Sequence, residues 1–229
     1  TEMIVAAKIA KGLKWSDVQP LEANAVVLGI QRTCNPDNAG HYQYILTEIV
    51  GCDAYYGAGK KTAEEKAALL KAVGVRAVDA TTIEFKLTDP VPTFSIKLAL
   101  WPTFPVPKHK LATVDAKWPA PMDNVYNGPF KPSAYTEKSG ITLVPNDQYT
   151  GAVKAQVEKI VIKYIDDPAV ALTAYRAGEI DATIVPSTQL AAIKADPTLA
   201  KELISYPATP TTGIEPNLKD PTLAKLEVR

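Results

Sequence analysis

The chain has 229 residues, of which 46% are hydrophobic and 22% charged, the make-up of an ordinary globular protein with a sizeable core. Its 25 basic and 25 acidic residues cancel, so no electrostatic footprint for nucleic acid or an anionic membrane is present. No apolar run approaches the roughly 18–20 residues of a membrane-spanning helix, and no signal-peptide pattern is visible. Thr1 rather than Met opens the sequence, which reads as a processed or excerpted chain.

Residues 2–9 predict a strand, and 21–32 a helix with Glu22 in its first turn. Residues 35–40 are turn-rich. Tyr42, Ile45, Leu46 and Ile49 recur at helical spacing, so 42–50 predicts a helix. A further helix is predicted over 62–73, where Thr62 and Glu65 form a capping-box pattern. Residues 75–78 and 82–87 form a predicted hairpin that turns at Asp79-Ala80, and 94–100 a short helix after Pro92. The proline-rich run 102–132 argues against long regular elements. Residues 131–136 and 141–144 predict a second hairpin, and 149–155 a connector.

The stretch 157–206 predicts β-α-β-α-β. Residues 157–165 are apolar on both faces apart from Lys159 and Lys163, as in a strand covered on both sides. Asp167 is placed to cap a helix, Pro168 to occupy its first position and Gly178 to close it. Residues 180–185 form a second strand, expected to lie parallel to the first through a right-handed crossover. Ser187 or Thr188 caps the next helix, and 203–206 returns as a third strand. The elements thus predict an α/β fold.

Four motifs invite chemical readings and are better explained structurally. Asp166, Asp167, Glu179 and Asp181 could be imagined as acid–base carboxylates, but they fall at a helix cap, a turn and a strand edge. Trp15-Ser16-Asp17 lacks a histidine in a supporting context, so Ser16 reads as a turn residue. The segment GAGKKT (57–62) lacks the spacing of a phosphate loop and its preceding buried strand. Cys34, Cys52 and the intervening His41 make an incomplete zinc set.

The run AYRAGEIDATIVPSTQLAAIKADP (174–197) resembles a signature segment of the family 5 extracellular solute-binding proteins, the receptors of ABC importers. Its helix end, G-E-I-D, strand, proline and D-P follow that family's pattern. Four other blocks resemble the family in order: KGLKWSDVQPLEANAVV (11–27), VRAVDATTIEFKLTDPVPTF (75–94), PVPKHKL (105–111) and NGPFKPSAYTEKSGITLVPNDQYTG (127–151).

The resemblance implies a periplasmic-binding-protein-like lobe with a parallel or mixed sheet, here over 151–229, and an appended α+β meander subdomain over 1–150. It further implies a fragment whose second lobe is absent. Function would be non-catalytic capture of a solute, an oligopeptide above all, and its delivery to the membrane subunits of an ABC permease. No cofactor, metal, nucleic acid or direct membrane insertion is expected. The location implied is periplasmic or extracellular, with a lipid anchor N-terminal to this segment as one arrangement the family allows. An exported hydrolase using the four carboxylates, or a structural exported domain, are the alternatives.

Ligand contact is expected at Trp101, in the proline-rich loop, at Tyr126 and Asn127, and at Asn217, where the family has an asparagine facing the cleft. Glu215-Pro216 interrupts the family's strand pattern there. Cys34 and Cys52 flank a segment that departs from the family pattern. In an exported protein such a pair suggests a disulfide, against the alternative of two unpaired small apolar side chains.

Overall fold

The computed structural model describes residues 3–38, 40–207, 213 and 215–228. The chain divides into two units, residues 1–164 and 165–229.

The first unit is organised by β3 (Thr82–Leu87), whose alternating pattern buries Ile83, Phe85 and Leu87 and leaves its other face half covered. It is the middle of a three-stranded antiparallel sheet, between β1 (Met3–Lys8) and β2 (Val75–Ala77). Against it lies α1 (Ala23–Thr33), which buries Ala23 and Ile30 in the same core. The short helices α2 (Cys52–Tyr56) and α4 (Phe94–Lys97) close the core, with Phe85 and Phe94 meeting edge-to-face at 5.2 Å. Between α2 and β2 runs α3 (Ala63–Ala72), which carries the predicted capping box: Thr62 accepts from the Glu65 amide, and Glu65 accepts from that of Thr62.

A second antiparallel sheet, in the order β4 (Phe130–Thr136), β5 (Gly140–Pro145), β6 (Ile160–Lys163), completes this unit. The expected hairpin at 131–144 is therefore present. The expected parallel crossover is not. β6 runs antiparallel to β5, with Ile141 opposite Ile162 and Leu143 opposite Ile160, and residues 180–185 join no strand ladder among the described residues. The physical reason is that an apolar run marks an extended, coverable segment without specifying its partner or its direction. The open edge of β5 takes 160–163, and the Tyr164 amide donates to the Ser139 carbonyl at 2.9 Å. This pairing keeps residues 160–163 in the first unit.

The second unit holds α5 (Pro168–Arg176), α6 (Leu190–Ala195) and α7 (Leu199–Glu202). The cap signals for α5 are realised: the Asp167 carboxylate accepts from the amides of Ala169 and Val170, and Gly178 adopts φ +73°. Ala171, Leu172 and Ile193 are buried here. Three expectations fail in shape. Residues 42–50 form a 3-10 turn at Gln43–Leu46 instead of an α-helix, because Leu46 and Ile49 reach the core without a continuous helical face. Neither Ser187 nor Thr188 caps α6, which follows directly on the 3-10 turn Ser187–Gln189. Residues 203–206 are extended but unpaired in any strand ladder among the described residues, leaving Ile204 and Tyr206 exposed.

Candidate functional site

An aromatic groove of about 530 Å³ opens on the first unit between the C-terminal half of α1 and the proline-rich loop. Its walls carry Tyr42, Trp101, Phe104 and Trp118, all exposed at 44–57% although each is a large apolar ring. Isolated exposed rings are ordinary, but four converging on one concavity make it the candidate binding surface. Trp101 and Tyr42 meet edge-to-face, ring centres 4.9 Å apart.

Local sequence explains how the loop reaches α1. Gly29 faces it, and a Cβ there would stand 2.2 Å from the Phe104 carbonyl oxygen, so only glycine admits this approach. The Val106 amide donates to the Ala25 carbonyl at 2.9 Å, and the Thr33 hydroxyl donates to the Pro102 carbonyl at 2.7 Å. Thr103 is 4% exposed and its hydroxyl donates within the loop to the Leu98 and Leu100 carbonyls. Trp101 is therefore an exposed ring on a fixed backbone.

Arg32 supplies the cationic element of the lining. Its Nη1 donates to the carbonyls of Val114 and Ala116, both at 2.9 Å, and its guanidinium lies 5.7 Å from the Trp118 ring centre. Burial lowers its pKa, and the nearby Asp115 carboxylate opposes that shift. The groove thus combines flat apolar walls with one fixed positive charge.

The other expected contact residues stand elsewhere. Tyr126 is half-buried and its polar groups are engaged internally. Its hydroxyl donates to the Pro121 carbonyl, its amide donates to Ser16 Oγ and its carbonyl accepts from the Ser16 amide. Asn127 is exposed next to it. Neither is among the residues lining the aromatic groove. Asn217 belongs to the second unit, where its side chain accepts from the Lys219 amide at 3.1 Å in a local turn.

Two features escaped the sequence reading. His109 lies 2.8 Å from the Asp17 carboxylate and edge-on to Trp15, so that histidine does have a partner. Ser16, however, spends its hydroxyl on the Tyr126 amide. Four aromatic residues scattered from 42 to 118 carry no common spacing, so only the fold could assemble them. Cys34 and Cys52 are bonded, with their Cα atoms 5.2 Å apart.

Of the four carboxylates, Asp167 caps α5 and Asp181 lines a groove of about 540 Å³ in the second unit with Leu172, Ile184 and Tyr206. Among the described residues no cluster of three or more histidine, cysteine, aspartate or glutamate side chains could hold a metal ion. No helix among them is long and apolar enough to cross a membrane.

The model of the bacterial extracellular solute-binding proteins, family 5, matches residues 4–229. The chain belongs to this family. Its relatives include the probable deoxycholate-binding periplasmic protein YgiS of Escherichia coli K12, 35% identical over 223 residues. Another is the oligopeptide-binding protein OppA of Bacillus subtilis 168, 33% identical over 196 residues. The match takes in 96% and 85% of this chain but only 40% and 34% of those relatives. Among solved structures, Burkholderia pseudomallei OppA superposes with a TM-score of 0.71 at 27% identity, over 84% of this chain and 37% of that one. The Escherichia coli murein tripeptide-binding protein MppA gives 0.73 at 25%, over 85% and 37%. The fold is therefore the α/β architecture of family 5 receptors, as the sequence blocks imply.

Proposed function

We propose that the chain is the ligand-binding part of an extracytoplasmic receptor that captures a solute, an oligopeptide first among them, and hands it to an ABC permease without chemical change. The observation that carries this reading is the aromatic groove on a fixed backbone in a chain that belongs to family 5. Flat rings and one guanidinium suit a ligand with an apolar body and a carboxylate, which a short peptide supplies. Relatives named for oligopeptides and murein peptides favour that class, and one named for deoxycholate shows an apolar acid as the neighbouring possibility.

In this reading Trp101 is the principal contact, Tyr126 and Asn127 form a second contact region in the same unit, and Asn217 is a separate candidate contact of the second unit. A periplasmic or extracellular location and a permease partner follow from the same reading. The carboxylate chemistry of a hydrolase finds less support, since Asp167 is committed to two backbone amides.

Titration of the 229-residue chain with the tripeptide Ala-Phe-Ala and, separately, with deoxycholate, followed by NMR of the tryptophan indole N–H signals, tests the proposal. Saturable movement of the Trp101 and Trp118 signals is expected with the peptide, weakened at least tenfold by Trp101→Ala, or about 1.4 kcal/mol. Saturation by deoxycholate alone would replace the peptide class with an apolar acid. No saturable change with either ligand would overturn the assignment of the groove.

A further inference from the structure

The Tyr42 wall of the groove stands at the start of a short 3-10 turn, Gln43–Leu46. What holds that turn is the residue next to Tyr42. The Gln43 side chain is only 6% exposed, and its amide nitrogen donates to Asp53 Oδ1 at 2.6 Å, with Cys52 Sγ at 3.5 Å. Asp53 and Cys52 form the first turn of α2. One turn further on, the Tyr56 hydroxyl donates to the Gly40 carbonyl at 3.4 Å, a second fastening of the same turn.

From α2 the path continues covalently, because Cys52 is bonded to Cys34, which ends α1. The residue before it, Thr33, donates to the Pro102 carbonyl in the loop that carries Trp101. Trp101 then meets Tyr42. The links form a closed circuit that begins and ends on the two facing rings: Tyr42, Gln43, Cys52, Cys34, Thr33, Pro102, Trp101.

We propose that Gln43 and the Cys34–Cys52 bond are positioning elements of the binding groove, which fix the gap between Tyr42 and Trp101 before a ligand arrives. The proposal rests on the groove being the ligand site. A buried glutamine amide committed to a carboxylate is costly to break, so the turn has one strongly preferred position. Holding both rings in the bound geometry removes the ordering cost that a ligand would otherwise meet. Gln43 itself is not among the residues that line the groove, and its effect on binding acts through Tyr42.

The test compares the wild-type chain with Gln43→Met, the double variant Cys34→Ala/Cys52→Ala and the conservative Asp53→Asn, which keeps an oxygen acceptor. Thr62→Ala serves as a control that weakens the fold at α3 without touching the circuit. Readouts are the Trp101 indole N–H signal, assigned by Trp101→Phe, the affinity for Ala-Phe-Ala and the thermal midpoint. Gln43→Met is expected to shift or broaden the Trp101 signal and to weaken the peptide at least fivefold. The cysteine double variant should do the same, while Asp53→Asn stays within twofold of wild type. Thr62→Ala should lower the midpoint alone.

The proposal falls if Gln43→Met leaves the Trp101 signal and the affinity unchanged while lowering the midpoint, as a merely structural residue would. Should the cysteine variant fail to fold, Gln43→Met decides alone. If the wild type binds neither the peptide nor deoxycholate, the groove assignment fails while the Trp101 signal still decides whether the circuit holds the rings.

Discussion

Single residues in this chain act mainly by fixing backbone. Asp79 shows this at the turn between β2 and β3. Its Oδ1 accepts from the Thr81 amide at 2.7 Å, the Thr82 amide at 2.8 Å and the Thr81 hydroxyl at 3.0 Å. These bonds, the Thr81 amide foremost, lower its pKa to about 2. A carboxyl depressed in the folded state stabilises it above the unfolded value and loses that contribution as pH falls through the folded one. Asp79→Ala should therefore be less stable than wild type at about pH 5.5, and the gap should close as pH falls towards about 2. Urea unfolding at a series of pH values reads this directly, and a gap independent of pH would show that the loss is steric.

Signals of this kind were legible in sequence where the chemistry is local. Asp167-Pro168 with Gly178, and Thr62 with Glu65, need only their own neighbours to be satisfied, and both appear as expected. Trp101 was identifiable as an aromatic in a proline-rich loop. Its companions Tyr42, Phe104 and Trp118 were not, because nothing in their spacing records that Gly29 admits the Phe104 carbonyl.

Among elements, strands were placed better than they were paired. Apolar alternation located β3, and the turn at Asp79 gave its hairpin with β2. A run apolar on both faces located β6, yet its direction depended on which edge was open, and that information lies in β5. Helices divide in the same way. α3 buries none of its residues fully, although Leu69 and Leu70 pack partly buried against the core, so its capping box adds to a modest packing contribution. Thr62→Ala should cost about 1 kcal/mol, seen as a lower urea midpoint with an unchanged slope. A cost near zero would mean that Glu65 alone sustains the first turn.

At the scale of the whole molecule, the bond between Cys34 and Cys52 closes a loop with a sequence separation of 18 and contributes roughly 3 kcal/mol on the chain-entropy model. It lies in the first unit, as do the first sheet and the aromatic groove. Among the described residues of the second unit the buried apolar side chains are Ala171, Leu172 and Ile193, and residues 204–206 are extended and exposed. Local opening should accordingly begin there before the first unit yields.

β6 has a further consequence, for colloidal behaviour. Val157, Val161 and Ile162 are 51%, 55% and 42% exposed on or beside an edge strand, the kind of apolar edge that templates pairing between molecules. Lys159 stands between Val157 and Val161 and is exposed. It fits the role of a gatekeeper, whose charge keeps two copies of the strand from aligning. Replacing Lys159 with alanine should leave the thermal midpoint of dilute samples nearly unchanged while light scattering rises steeply with concentration. Unchanged scattering would mean that the twist of the sheet already protects this edge. In wild-type protein the same charge would make solubility fall with added salt, as screening shortens the range over which two copies repel.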